Sequence, residues 1–346
     1  LAVRPGDPTA LLGVGLAQVA LAQPDAAIAT LARAVHEAAG DRAVLANAYR
    51  GLGIAWRRKG ELDKAVRELR KAVAEDSSDR DARAALGEAL VADHAQSEEA
   101  RRHLERAVAD SKAATTGATE PPPIAYFALG QLALREHAPA LATNMFDQAR
   151  ALASRDTTPL GRTLLADILL GQGAAALALR DPMRAHTRFL EALQLEPKRA
   201  DIHASIATAH RAVGNRDAAL ASYDRALSLA TDTTVADDRA TGDTAAVQVS
   251  AQPSLDMLRD AVDAAIALGD ATRQLQWSSD LLVRDPDNTR ALVARGLGAA
   301  TTGDNGTAHA LLSLAVGRGD LDAHVGLARL KLRTTAVAEG GTRSPE

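Results

Sequence analysis

The chain contains no cysteine, and aromatic residues account for only 2% of its 346 residues. Disulfides, thiolate chemistry and cysteine-based zinc sites are therefore excluded. Because aromatics are scarce while 47% of the residues are hydrophobic, the apolar content is mostly Ala, Leu and Val. This composition suits closely packed helices better than sheets, so we expect an all-α fold.

Neither sign of charge dominates, since Lys and Arg total 40 against 44 Asp and Glu, for a net charge of -4. This balance gives no general attraction to nucleic acid or to anionic membranes, and we predict neither as a partner. No apolar run reaches the roughly 18 residues of a membrane span, so direct membrane insertion is not expected. The N-terminus lacks the basic and apolar segments of a signal peptide. Most of the basic residues are Arg, and Ala is abundant, which is typical of a GC-rich bacterial genome. The sequence does not decide whether the protein is located in the cytoplasm or in the periplasm.

Pairs of the form Gly-X-Gly occur in stretches with helical character, among them Gly13–Gly15, Gly51–Gly53 and Gly171–Gly173. Each could open a phosphate-binding loop, or its glycines could allow two helices to pack closely. None completes the Gly-x-Gly-x-x-Gly pattern, and none stands between a strand and a helix as a dinucleotide-binding loop requires. Packing is therefore the favoured interpretation.

A period of 34 residues runs through the chain. With Ala46 at the first position, large residues fall at positions 4, 11 and 24 and small ones at positions 8, 20 and 27. In that order they are Tyr49, Trp56, Leu69, Gly53, Ala65 and Ala72. The pattern resembles the tetratricopeptide repeat, a helix-turn-helix unit. It recurs, with more drift in some units than in others, from eight starting residues: Pro8, Ala46, Arg80, Pro123, Ala166, Ala200, Leu255 and Thr289.

The placement of the aromatic residues supports this repeat frame. At positions 4, 11 and 24 large side chains fill the space between neighbouring helices, while small residues at 8 and 20 let the paired helices approach. The chain has two Trp, three Tyr and three Phe residues, and only Phe127 and Trp277 lie elsewhere. The remaining six are Tyr49, Trp56, Tyr126, Phe146, Phe189 and Tyr223.

The resemblance implies an all-α, right-handed solenoid of about eight helix-turn-helix units followed by a C-terminal capping helix. We expect two interruptions, a linker and a longer insertion rich in Thr, Ala and Asp that lacks helical periodicity. The predicted boundaries are 1–7 for the end of a truncated preceding repeat, 8–114 for units one to three, 115–122 for the linker, 123–233 for units four to six, 234–254 for the flexible insertion, 255–320 for units seven and eight, 321–332 for the capping helix and 333–346 for a disordered tail.

No set of residues in the sequence carries recognisable catalytic chemistry. His203 and His210 occupy packing positions of one unit, which favours the core over a metal site. The acidic pairs 98–99 and 237–238 lie in a predicted turn and linker, where solvation is the default. No zincin, nucleophile-elbow, Walker or EF-hand pattern occurs. We therefore assign no catalytic residue, metal ligand or cofactor, and predict that the chain is not an enzyme.

The resemblance implies that a concave groove, lined by the first helix of each unit, holds a peptide or helix of a partner protein. The Lys/Asn/Arg clamp by which some relatives grip a C-terminal carboxylate is absent, because Leu12, Leu16 and Gly51 occupy matching positions. We expect an apolar or amphipathic segment with an acidic flank near three arginines. The predicted groove residues are Leu12, Leu16, Arg50, Ile54, Arg57, Arg58, Phe127, Gln131, Leu134, Leu170 and Leu177.

Phe127 is the strongest single candidate for partner binding, because it is one of two aromatics away from the packing positions. The alternative is that it is buried against a neighbouring repeat.

For the chain as a whole, the leading hypothesis is a non-enzymatic adaptor. Two alternatives are a regulatory or scaffold part of a larger enzyme or sensor whose active domain precedes Leu1, and head-to-tail self-association through an incomplete N-terminal unit.

Overall fold

The computed structural model describes residues 6–91, 96–113, 120–231 and 253–340. Within these ranges the chain forms seventeen helices and no strand. Eight antiparallel helix pairs follow one another, and a single helix closes the series. The predicted fold class, an all-α array of about eight helix-turn-helix units with a further C-terminal helix, is confirmed.

The chain divides into two compact modules, an N-terminal module of residues 1–197 and a C-terminal module of residues 198–346. The N-terminal module holds five helix pairs: α1 (Pro8–Ala20) with α2 (Pro24–Glu37), α3 (Arg42–Arg58) with α4 (Leu62–Glu75), α5 (Arg80–Val91) with α6 (Ser97–Ala113), α7 (Pro123–Arg135) with α8 (Pro139–Ala153), and α9 (Pro159–Ala178) with α10 (Pro182–Leu195). The C-terminal module holds three pairs and the last helix: α11 (Ala200–Ala212) with α12 (Arg216–Thr231), α13 (Leu255–Leu268) with α14 (Ala271–Arg284), α15 (Thr289–Thr302) with α16 (Asn305–Gly317), and α17 (Leu321–Gly340).

Short polar side chains and proline define where the helices begin. Asp7, Asp41 and Asn288 each precede a helix and accept hydrogen bonds from backbone N–H groups of its first turn. Six helices of the N-terminal module carry Pro in the first turn, where the missing N–H would have had no helical partner. Gly269 ends α13 in the left-handed conformation, with φ of 68°, which permits the tight turn into α14.

Glycines of the first helices lie directly beneath large side chains of the second helices. A Cβ atom added to Gly53 would overlap the Cγ atom of Leu69. One added to Gly51 would lie 2.7 Å from Cδ1 of Leu31, which belongs to the preceding pair. Both glycines of this Gly-X-Gly pair therefore allow close helix contact, and the packing interpretation is confirmed.

The core of the N-terminal module is built around Phe146, which is fully buried. The Phe127 ring packs against it, with ring centroids 6.0 Å apart, and is only 6% exposed. The expectation that Phe127 offers its ring to a partner is corrected by this placement. At position 5 of its unit the ring packs on Phe146 of the second helix α8 and is therefore buried in the core.

The C-terminal module has its own core around Trp277, whose ring meets that of Tyr223 at a centroid distance of 6.2 Å. Trp277 is 2% exposed, so it packs as a core residue although it lies away from the expected position. The polar Gln274 of the same degenerate unit is also buried, and its side-chain amide donates to the backbone carbonyl of Ala265 at 3.0 Å. Burial of this amide is thereby compensated.

Several predicted boundaries differ from the structure. The last helix continues to Gly340, so the expected end of the capping helix at residue 332 was too early. The helix continues because residues 334–339 contain neither Pro nor Gly and include helix-favouring Ala and Glu. Helix α9 begins at Pro159, ahead of the expected start at Ala166. The truncated repeat at 1–5, most of the linker and insertion, and the tail from 341 lie outside the described residues.

Candidate functional site

A groove of about 560 Å³ lies in the N-terminal module. Its walls come from the first helices of four successive pairs, α3, α5, α7 and α9, together with the turn between α1 and α2. First helices line it because their partners α4, α6, α8 and α10 cover the opposite side. We call this cavity the groove.

Apolar side chains form part of the lining of the groove. The larger ones are half-buried, so each combines contact with the core and a surface open to the cavity, while Ala85 is buried. Leu160 and Leu164 come from the first turns of α9, which starts earlier than the repeat frame predicted. The apolar residues that line the groove are Ala22, Pro24, Ile54, Ala85, Ile124, Pro159, Leu160 and Leu164.

Charged side chains line the groove on the same helices as the apolar ones, and they include an ion pair between α3 and α5. A guanidinium nitrogen of Arg57 lies 2.7 Å from a carboxylate oxygen of Glu88, whose side chain is only 8% exposed. Burial raises the pKa of Glu88 to about 7, and the nearby charge of Asp167 acts in the same direction. Arg57 and Arg58 oppose this shift without cancelling it, because desolvation of a buried carboxylate outweighs their attraction.

Arg58 follows Arg57 on α3 and also lines the groove, but its guanidinium is bound differently. It donates to the backbone carbonyl of Val19 at 3.3 Å. Among the described residues no carboxylate oxygen lies within ion-pair distance of it. Burial lowers the pKa of Arg58, and the neighbouring positive charge of Arg57 lowers it further. The groove therefore holds a cation that lacks a direct counter-ion.

Arg50, the third predicted arginine, is already neutralised. Its guanidinium lies 3.6 Å from a carboxylate oxygen of Asp79 and 3.3 Å from one of Asp81, and it donates to the side-chain oxygen of Asn47 at 2.8 Å. Asp79 is also the N-cap of α5, since it accepts from the backbone N–H groups of Asp81 and Ala82. Arg50 thus ties α3 to the start of α5.

The structure brings four of the predicted groove residues together, Arg50, Ile54, Arg57 and Arg58. The others do not border the groove. Leu12, Leu16, Gln131, Leu134, Leu170 and Leu177 are half-buried on α1, α7 and α9, and Phe127 is buried. Leu12 and Leu134 pack against the hydrophobic core, which accounts for their partial burial.

Sequence reasoning missed three charged residues of the groove, Asp81, Glu88 and Asp167. Counted from Arg80, Asp81 and Glu88 stand at positions 2 and 9, and counted from Ala166, Asp167 stands at position 2. The repeat frame could have revealed them, although a single acidic residue on a helix is usually solvated. Leu160 and Leu164 could not be found in this way, because they precede the expected start of their unit.

Two further features concern the described residues only. They contain no group of three or more His, Asp or Glu side chains arranged to hold a metal ion. No helix within them is long and apolar enough to cross a membrane.

The helix pairs, their shared glycine-and-large-residue packing and the groove on their first helices define a tetratricopeptide-repeat fold. No model of a known family matches the sequence, and no curated protein matches it either. Similarity is found among solved structures, all at low sequence identity, so it concerns the fold.

Three solved structures illustrate this similarity. The APC/C hetero-tetramer Cut9–Hcn1 matches with a TM-score of 0.62 and 14% identity, over 95% of this chain and 57% of that one. PilW, described as a widely conserved type IV pilus biogenesis factor, matches with a TM-score of 0.51 and 16% identity, over 71% of this chain and 96% of that one. A tetratricopeptide repeat protein from Parabacteroides merdae matches with a TM-score of 0.50 and 13% identity, over 84% and 98%. The predicted resemblance is confirmed at the level of the fold.

Proposed function

We propose that the chain is a non-enzymatic adaptor that binds a segment of a partner protein in the groove. The observation that carries the proposal is the groove itself, a concave surface on four successive first helices that is lined by both apolar and charged side chains. Tetratricopeptide-repeat folds are scaffolds for protein interaction, which supports the same class of function.

The lining of the groove favours an amphipathic segment. Ile54, Ile124 and Leu164 are held half-buried by the core, so they form a pre-organised surface on which apolar side chains of a partner lose contact with water. Charged residues at the edge of such a surface orient the segment more than they strengthen its binding. Helix-in-groove recognition uses this combination of an apolar face and flanking charges.

Selection from a random peptide library displayed on phage tests the proposal. The immobilised proteins are the wild-type chain and two variants, Leu160→Glu and Leu141→Glu. Both substitutions place Glu in the first turn of a helix that begins with Pro, where a negative charge is tolerated. Leu160 lines the groove, whereas Leu141 is 48% exposed on α8 and lies outside it.

We expect peptides enriched on the wild type to bind Leu141→Glu equally well and to lose binding to Leu160→Glu by about tenfold or more, since an apolar contact is replaced by a charge. Circular dichroism of both variants checks that the helices are intact. Failure to enrich any peptide, or peptides that ignore Leu160→Glu, would refute the groove as the binding surface.

A further inference from the structure

Two adjacent guanidinium groups line the groove, and one of them is in contact with a carboxylate. Arg57 and Arg58 are successive residues of α3, and both line the groove. Glu88 pairs with Arg57 at 2.7 Å, while the guanidinium of Arg58 donates to a backbone carbonyl. Both guanidinium groups are partly withdrawn from water, and of the two only that of Arg57 has a carboxylate of the described residues at ion-pair distance.

The ion pair between Arg57 and Glu88 is unevenly exposed. The Glu88 side chain is 8% exposed, whereas that of Arg57 is 32% exposed and remains accessible from the cavity. A second carboxylate can thus approach Arg57 from the groove, on the side that Glu88 does not cover. Arg and carboxylate groups form strong, directional hydrogen bonds, and two guanidinium groups side by side offer more donors than one carboxylate can accept.

A basic segment would fit this surface poorly. A lysine or arginine directed at Glu88 would have to approach two existing guanidinium groups, and like charges at this distance repel. Arg50 is already balanced by Asp79 and Asp81, so it neither demands nor excludes a partner. The charged residues that line the groove are Arg50, Arg57, Arg58, Asp81, Glu88 and Asp167, so the two signs are equal in number. Among the described residues, however, no carboxylate oxygen lies within ion-pair distance of Arg58, and the group that complements this guanidinium is an acidic one.

We propose that an Asp or Glu side chain of the bound segment sits on Arg57 and Arg58, replaces Glu88 as the ion-pair partner of Arg57, and causes Glu88 to take up a proton from solvent. This rests on the proposed function, because it concerns the same groove. The exchange breaks one ion pair and forms another, and the proton from water ends on the Glu88 carboxylate. Arg57 and Arg58 remain charged throughout.

The surroundings of Glu88 support the proton uptake. Among the described residues, the charged groups that act on it are Arg57 and Arg58 from α3 and Asp167 from α9, while α7 contributes the apolar Ile124 to the same cavity. Once an incoming carboxylate has paired with Arg57 and Arg58, its negative charge and that of Asp167 both disfavour ionisation of Glu88. Its pKa is already raised to about 7 by burial, so neutralisation costs little near neutral pH.

The first test uses three displayed peptide libraries that are random except for one fixed central residue, which is Glu, Gln or Lys. Selection is performed on the wild type, on Arg58→Gln and on the matched control Arg184→Gln, an exposed arginine on α10 outside the groove. We expect the Glu library to give the tightest binders on the wild type and on the control. Arg58→Gln should weaken them by about tenfold.

The second test measures the affinity of the tightest Glu peptide at several pH values. If the peptide binds only when Glu88 is protonated, its affinity should fall by about tenfold between about pH 6 and about pH 8, because the fraction of protein molecules with protonated Glu88 falls by the same factor. Glu88→Gln should bind the peptide with little dependence on pH and more tightly than the wild type at about pH 8, since its amide needs no proton.

The possible outcomes separate the two proposals. Equal enrichment from all three libraries, or preference for the Lys library, would overturn the acidic site while the binding groove stands. A pH dependence unchanged by Glu88→Gln would overturn the exchange with Glu88. Failure to enrich peptides from any library would overturn both the groove and the acidic site.

Discussion

Replacing Glu88 by Gln should change how the stability of the N-terminal module depends on pH. In the folded chain the pKa of Glu88 is raised from 4.5 to about 7 by burial. Between these values the folded state holds a proton that the unfolded state has released, so the free energy of unfolding falls as the pH rises. Above about pH 7 both states are ionised and the loss is complete.

The magnitude follows from the size of the shift. Each unit of pKa difference corresponds to about 1.4 kcal/mol, so the wild type should lose about 2 to 3 kcal/mol from this residue between about pH 5 and about pH 8. No large discount for solvent screening applies, because the side chain is 8% exposed. Gln cannot ionise, so the Glu88→Gln variant should lack this contribution entirely.

Other titrating groups remain in both proteins and cancel in the comparison. Burial lowers the pKa of His103 on α6, so its contribution to stability rises with pH, opposite in sign to that of Glu88. It is the same in the wild type and the variant. The difference between the two pH dependences therefore isolates Glu88.

Hydrogen exchange measured by mass spectrometry on peptides from α3 and α5 is the suitable assay. It reports local opening free energies, whereas a global unfolding midpoint would mix two modules. Rates must be corrected for the intrinsic increase of exchange with pH. The control is Glu75→Gln on α4, whose ion pair with Arg42 lies at the surface. Parallel pH dependences for wild type and Glu88→Gln would refute the reasoning.

Two further predictions concern packing. Gly53→Ala should destabilise the chain by about 1 to 3 kcal/mol, because the new Cβ overlaps Leu69. Gly13→Ala should stabilise it by about 0.5 to 1 kcal/mol, because the space there is open. Thermal unfolding followed by circular dichroism distinguishes the two variants. Phe127→Ala should cost about 3 to 5 kcal/mol by removing a ring that packs on Phe146, and a variant of unchanged thermal stability with weakened peptide binding would contradict its place in the core.

The repeat frame was readable from the sequence because large and small residues recur at fixed spacing. Tyr223 and Phe146 stand at the same position of two units, and both are fully buried. Such a regularity survives low sequence identity, since each unit solves the same packing problem. The helix pairs could therefore be predicted without knowledge of any contact.

The groove was predictable only in part. Arg57 and Ile54 lie on a helix whose phase the frame defines, so their exposure to the cavity followed from position alone. Phe127 was misplaced because its burial depends on packing against the Phe146 ring of α8, which is a contact between helices and not a pattern along one. Glu88 has an ordinary position, and only the packing of α3 and α9 around it makes its charge costly.

The large residues of the second helices have a consequence for how such a groove changes width. The Phe146 ring lies between Gly130 of its own pair and Gly171 of the next, and a Cβ at either glycine would come within 2.6 Å of the ring. The ring and the two glycines together act as a spacer between α7 and α9. A methyl group added at Gly171 would overlap the Phe146 ring and push α7 and α9 apart on the side away from the groove. The opening available to a partner could thus be adjusted without altering any residue that touches it.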